Sequence, residues 1–138
     1  MNKEKLVQIA VLLLRVVAGL IFIENGGLKL FGWFGGIPGG HLPTLLLVAG
    51  ILEFVGGIAI LLGLLTRPIA FVLSSEMAVA YFLGHGSHGH FFVPLLNQGQ
   101  PAVLLCFIFL FFAAYGAGEW SVEAMLKNRS TDMMAKSS

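Results

Sequence analysis

Four apolar stretches of membrane-spanning length dominate this chain, and three of them carry a charged residue near the middle. The stretches cover residues 6–28, 44–65, 68–84 and 101–117. Arg15 lies in the first, Glu53 in the second and Glu76 in the third. A helix needs about 20 mostly apolar residues to cross the hydrocarbon core, and a charge at its centre costs about 2.5–3.5 kcal/mol on insertion scales. Such charges are expected to pair with one another or to serve a function.

The composition places the chain in the membrane-protein class. Of its 138 residues, 57% are hydrophobic and only 11% are charged, against about 25% charged residues in soluble proteins. We predict an all-α fold, an integral membrane four-helix bundle over residues 1–118, followed by a polar cytoplasmic tail over residues 119–138. Its surroundings are then the lipid bilayer. A net charge of +1 argues against binding to nucleic acid.

Cysteine content and cofactor motifs limit the chemistry of the chain. Cys106 is its one cysteine, so a disulfide within the chain and a CxxC redox motif are both excluded. The sequence carries no flavin, nicotinamide or iron–sulfur motif. Redox chemistry would therefore need a quinone, a metal or a partner subunit.

The distribution of lysine and arginine predicts the orientation. The apolar run at the N-terminus is interrupted by Arg15 and continues past residue 20, so we expect an uncleaved first helix rather than a signal peptide. If the chain crosses the membrane four times, one side of the membrane has only Lys29 among the lysines and arginines outside the predicted spans. The other side carries Lys3, Lys5, Arg67, Lys127, Arg129 and Lys136. The positive-inside rule then makes both termini of this multi-pass cell-membrane protein cytoplasmic.

The three charges within the stretches are expected to form one buried polar cluster. At a rise of about 1.5 Å per residue they lie about 12–18 Å from the cytoplasmic helix ends, in a single layer. Arg15 would form a bidentate bond with one glutamate and a weaker bond with the other, and one of the two glutamates would be protonated. The cluster is then a candidate proton or quinone site. The alternative is a buried Arg15–Glu53 ion pair that fixes helix register, with Glu76 satisfied by hydrogen bonds.

A second group of polar residues lies toward the opposite, outer side. It consists of Glu24, Asn25, Lys29, Asn97 and Gln100. These side chains are expected either to line an outward-facing pocket or to meet lipid headgroups and water at the interface.

Three histidines lie close together in a glycine-rich outer segment. His85, His88 and His90 are weak candidates for zinc or copper ligands, since short histidine-rich tracts bind these metals. No acidic residue or cysteine accompanies them locally. We therefore expect loop histidines and no metal site.

Several spacings resemble those of the DoxX family of small four-helix membrane proteins. They are Arg15-x3-Gly19-x2-Phe22, Gly26-x2-Lys29-Leu30-x-Gly32, Glu53-x2-Gly56-Gly57, Gly63-x2-Thr66-Arg67 and Gly116-x-Gly118-x2-Ser121. The resemblance covers about residues 10–123. It implies a four-helix membrane fold and a link to thiosulfate:quinone or quinol-oxidase complexes and other membrane oxidoreductase assemblies, often as an accessory subunit.

Three functions remain open at the level of sequence. The first is a membrane subunit of a quinone-linked redox complex, with a quinone site at Arg15, Glu53 and Glu76 and with partner redox subunits. The second is a small proton-coupled transporter, which would work as a homodimer. The third is a structural or assembly protein without catalysis, in which the charges hold the bundle together.

Overall fold

The structure, a computed structural model, describes residues 1–138 and is built from helices. Its helices are α1 (Lys3–Phe31), α2 (Thr44–Leu62), α3 (Thr66–Ala80), α4 (Pro94–Asn97), α5 (Gln100–Tyr115) and α6 (Val122–Ser137). A π-helical turn over Tyr81–His85 and a 3₁₀ turn over Gly86–His88 continue α3. Three segments are long and apolar enough to cross a membrane: Lys3–Phe31, Thr44–Leu62 and Thr66–His88. Helix α5 is also apolar but shorter, with 16 residues.

The helix ends differ from the predicted ones for local reasons. Helix α1 begins at Lys3 rather than residue 6, because the Asn2 side chain accepts a hydrogen bond from the Lys5 amide and caps the first turn. Helix α2 ends at Leu62, because Gly63 takes a left-handed conformation with φ 74°, a usual helix stop. The polar tail is also helical: Ser121 caps the start of α6.

The long helices run antiparallel in two packed pairs, α1 with α2 and α3 with α5. The pairs meet through Phe22 of α1 and Phe109 of α5, whose rings are fully buried and pack edge to face with centroids 4.5 Å apart. The connecting segments 32–43 and 86–99 lie at one end of the bundle, here called the loop end. The N-terminus, the turn after α2 and the segment 116–121 lie at the other, the termini end.

Glycines allow the backbones of α1 and α2 to touch along their seam. A Cβ atom added to Gly26 would lie 2.5 Å from the Phe54 nitrogen, and one added to Gly19 would lie 2.8 Å from the Leu61 nitrogen. On the α2 side, a Cβ at Gly57 would lie 2.8 Å from the Ile23 nitrogen. Small residues of this kind drive helix association in membranes, where van der Waals packing replaces the hydrophobic effect. The seam fixes the register of α1 against α2.

Replacing Gly26 with alanine is expected to destabilise the bundle by about 1–3 kcal/mol, the usual cost of overpacking. The added methyl group meets the backbone of α2, which cannot move without separating the two helices. Gly84→Ala is the matched control, because a Cβ there meets nothing within 4 Å and the residue needs no left-handed conformation. Unfolding by SDS in mixed micelles measures the difference. Equal losses in the two variants would contradict the close seam.

Candidate functional site

An ion pair between α1 and α2 lies inside the bundle. Lys29 Nζ donates a hydrogen bond to Glu53 Oε2, and Glu53 is only 4% exposed. Side chains on a helix lean toward its N-terminus. Because α1 and α2 are antiparallel, Lys29 and Glu53 lean toward each other. The Lys29 Cβ lies beside Gly50, whose own Cβ would come within 3.0 Å of it, one turn before Glu53 on α2.

A second glutamate lies close to this pair without a partner of its own. Both carboxyl oxygens of Glu76 on α3 are buried, and neither makes a hydrogen bond to another group of the protein. Buried polar groups in proteins are nearly always hydrogen-bonded, and an exception calls for an explanation such as a functional role. Glu76 is therefore the unsatisfied group of the site.

Lys29, Glu53 and Glu76 line one cavity of about 350 Å³ between α1, α2 and α3. His85, at the end of the π-helical turn, adds a fourth polar side chain. The apolar lining consists of Leu45, Leu46, Ala49, Val79, Ala80 and Leu83. A few convergent polar groups in an otherwise apolar cavity are typical of a small-molecule site. The cavity lies in the loop-end half of the bundle.

Arg15 pairs with neither Glu53 nor Glu76, so the predicted pairing of Arg15 with a glutamate is wrong. The Arg15 guanidinium instead donates to two backbone carbonyls of the segment after α5: Nη1 to Ala117 and Nη2 to Trp120, the latter at 2.8 Å. It lies level with Gly63, since a Cβ on that residue would come within 2.9 Å of Arg15 Nη1. Gly63 is ten residues beyond Glu53, about 15 Å along a helix axis.

Two features of α1 explain the error. The first turn of α1 extends beyond the termini end of its neighbours. Gln8, more than one turn inside α1, donates to the Tyr115 hydroxyl and accepts from the Glu119 amide, each at 2.9 Å. Depth counted from the start of α1 therefore places Arg15 too far into the membrane. The lean toward the N-terminus then carries its guanidinium further from the centre.

The sequence carries a signal for the inward position of Lys29, which was assigned instead to the outer pocket. Lys29 follows Arg15 and Phe22 at seven-residue intervals, which places all three on one face of the helix. Phe22 and Arg15 are both buried, so the same stripe turns Lys29 inward.

The predicted outer pocket of five residues is not formed. Glu24, Asn25 and Gln100 are exposed, and the Asn25 amide donates to the Ile21 carbonyl of its own helix at 3.0 Å. Lys29 alone of the five enters the cavity. The fifth residue, Asn97, stabilises the 86–99 segment.

Asn97 joins the end of α3 to the start of α5. Its Nδ2 donates to the Tyr81 hydroxyl at 3.1 Å, and its Oδ1 accepts from the Gly99 amide at 2.9 Å. The Asn97 carbonyl lies 3.1 Å from Nδ1 of His85. This network positions the His85 ring.

The three loop histidines do not come together. His85 is half-buried and lines the cavity, whereas His88 and His90 are exposed. No group of three or more histidine, cysteine, aspartate or glutamate residues is arranged to hold a metal ion.

These features define an integral membrane protein with a charged cavity in the loop-end half of its helical bundle. The predicted family is confirmed: the DoxX family model matches residues 10–86, and the chain belongs to the DoxX family. An uncharacterized protein of Haemophilus influenzae is 40% identical over 126 residues, covering 88% of this chain and 94% of that protein. The inner membrane protein YqjF of Escherichia coli is 31% identical over 134 residues, covering 91% and 98%. No solved structure matches the chain.

Proposed function

We propose that the cavity binds the head group of a lipid-soluble quinone and that the protein is a membrane subunit of a quinone-linked redox complex. The observation that carries this proposal is the partnerless carboxyl group of Glu76 beside the Lys29–Glu53 ion pair, in a cavity with apolar walls. Electrons would come from a partner subunit, because the sequence offers no redox motif of its own.

The residues of the cavity fit a quinone head group. Quinone carbonyl oxygens accept hydrogen bonds, and quinone reduction consumes protons. Lys29 carries three donor hydrogens, and Glu53 is its one side-chain partner. Glu76 is expected to keep its proton, because an isolated buried carboxylate is very costly, and it can then donate that proton. Leu45, Val79 and Leu83 supply apolar walls for the start of an isoprenoid tail.

We also infer that four helices cross the cytoplasmic membrane with both termini inside the cell. Helix α5 follows α3 along its length: the Ser74 hydroxyl donates to the Cys106 carbonyl at 2.8 Å, and Arg67 lies 3.4 Å from the Tyr115 carbonyl near the termini end. If α3 crosses the membrane, α5, which packs along it, crosses the membrane as well. Because Lys29 turns inward to Glu53, the lysines and arginines outside the bundle core belong to the termini end, as the positive-inside rule requires of the cytoplasmic side.

A proton-coupled exporter of organic cations is the second candidate. The partnerless Glu76 favours it, since such a carboxyl group can exchange its proton for a bound cation. Saturable binding of tetraphenylphosphonium, with proton release that Glu76→Gln abolishes, would support this function over quinone binding.

Replacing Glu76 with leucine is expected to weaken binding of a short-chain quinone about tenfold, because the variant loses one hydrogen-bond donor worth about 1.5 kcal/mol. Glu76→Gln keeps a donor and is expected to bind within about threefold of the wild type. Calorimetric titration of the protein in lipid nanodiscs measures these affinities.

Glu24→Leu is the control for these variants, because it removes an exposed carboxyl group from α1 outside the cavity. Its quinone affinity should equal that of the wild type. A wild-type protein that binds no quinone would refute the proposed function. Unchanged quinone affinity in Glu76→Leu would show that the head group binds outside this cavity.

A further inference from the structure

We propose that His85 is the group through which Glu76 exchanges its proton with water at the loop end. The inference deepens the proposed function and rests on it in one respect, that Glu76 carries an exchangeable proton. Glu76 and His85 line the same cavity. Apart from the Lys29–Glu53 ion pair, Glu76 and His85 are the titratable side chains that line the cavity.

The π-helical turn brings His85 to the cavity face. His85 follows Glu76 by nine positions, and at about 100° per residue a regular α-helix would place the two side chains on opposite faces. The turn over Tyr81–His85 rotates by a smaller angle per residue than an α-helix does. Over five residues the difference in rotation adds up to roughly a quarter turn. His85 is thereby rotated back toward Glu76. Such π-helical turns occur frequently at functional sites.

The bond to Asn97 selects the proton-accepting form of the ring. The Asn97 carbonyl is an acceptor only, so Nδ1 of His85 must be the donor across the 3.1 Å contact. In a neutral ring the other nitrogen, Nε2, is then an acceptor. Asn97 is itself fixed by Tyr81 and Gly99, so this contact favours one tautomer of the neutral ring.

The proton path is balanced and needs no other reactant. The Glu76 carboxyl group gives its proton to water in the cavity, and that water protonates Nε2 of His85. The imidazolium then returns the proton from Nε2 to water at the loop end, beside the exposed Gly84 and Ser87. A cavity of about 350 Å³ has room for several waters, which occupy about 30 Å³ each in the liquid.

The charged groups around Glu76 are few. Lys29 faces the cavity from α1 and Glu53 from α2, and they pair with each other. Helix α5 contributes no residue to the cavity lining. Tyr81, at the start of the π-helical turn, donates its hydroxyl hydrogen to the Phe91 carbonyl. His85 is therefore the cavity residue suited to pass a proton outward.

Infrared spectroscopy of the protein in nanodiscs, without quinone, tests the relay. After a switch to D₂O, the shift of the Glu76 carboxyl band, identified by its loss in Glu76→Gln, reports proton exchange. We expect His85→Ala to slow this exchange about tenfold or more and added imidazole to restore it. His88→Ala, which removes an exposed neighbouring histidine, should exchange at the wild-type rate. His85→Gln can keep the bond to Asn97 and should be as slow as His85→Ala, which separates the relay from a structural role.

Each result decides the proposal. Wild-type exchange rates in both His85 variants would overturn it, as would a failure of imidazole to restore the rate or the absence of a Glu76 carboxyl band in the wild type. A quinone titration of the same samples separates the two proposals. Slow exchange in His85→Ala without quinone binding would support the relay and refute the quinone site. Quinone binding with a wild-type exchange rate in His85→Ala would support the quinone site and refute the relay.

Discussion

Lys29→Met is expected to lower the free energy of unfolding by about 3–5 kcal/mol, the cost of removing one partner of a buried ion pair. Glu53 is 4% exposed and Lys29 is its hydrogen-bond partner, so the variant leaves a buried carboxyl group without that partner. The expected loss comes mainly from this stranded group and less from the attraction within the pair.

The double variant Lys29→Met/Glu53→Met separates these two contributions. Because both charges are gone, it should recover most of the lost stability, as replacement of buried ion pairs by apolar residues often does. Lys5→Met, which removes an exposed lysine from the first turn of α1, is the control and should change stability by less than about 0.5 kcal/mol. SDS unfolding in mixed micelles measures all four proteins. A double variant no more stable than Lys29→Met would argue against the pair.

Arg15→Met is expected to cost about 3 kcal/mol and to release the segment that joins α5 to α6. The variant loses two charge-assisted hydrogen bonds, to Ala117 and Trp120, each worth about 1.5–3 kcal/mol. The 116–121 segment would remain tied mainly by Gln8. Trp120 fluorescence should therefore shift to longer wavelength. Cleavage of the 116–121 segment by an added protease should become faster.

Arg67→Met is the matched control for this variant. Arg67 also donates to a carbonyl at the termini end, that of Tyr115, but through a single exposed contact of 3.4 Å. Its loss should change stability by less than about 1 kcal/mol. Equal protease sensitivity in the two variants would contradict the role given to Arg15.

A double-mutant cycle distinguishes the observed pairing from the one expected from sequence. Arg15 and Glu53 are separated by about 15 Å along the bundle axis, so the effects of Arg15→Met and Glu53→Met should add within about 0.5 kcal/mol. Lys29→Met and Glu53→Met should instead be strongly coupled. A large coupling energy between Arg15 and Glu53 would restore the predicted pair.

The sequence by itself determined the four apolar helices, the membrane setting and the family. Apolar length fixes where a chain can cross a bilayer, and Gly63 and the glycine-rich segment after Gly32 mark helix ends through local backbone preferences. Both are properties of neighbouring residues, which a sequence records directly. Glu53 and Glu76 were visible as candidate site residues for the same reason, since a charge within an apolar run stands out without knowledge of its partner.

Only the tertiary structure decided which charges meet. That choice depends on how far α1 extends past its neighbours, on the register set by the Gly26 and Gly57 contacts, and on the lean of side chains in antiparallel helices. Together they bring Lys29 to Glu53 and send Arg15 to the carbonyls of the 116–121 segment. The rotation of His85 into the cavity likewise depends on a π-helical turn joined through Tyr81 and Asn97 to a distant segment. These are relations between elements, and the order of residues along one helix does not contain them.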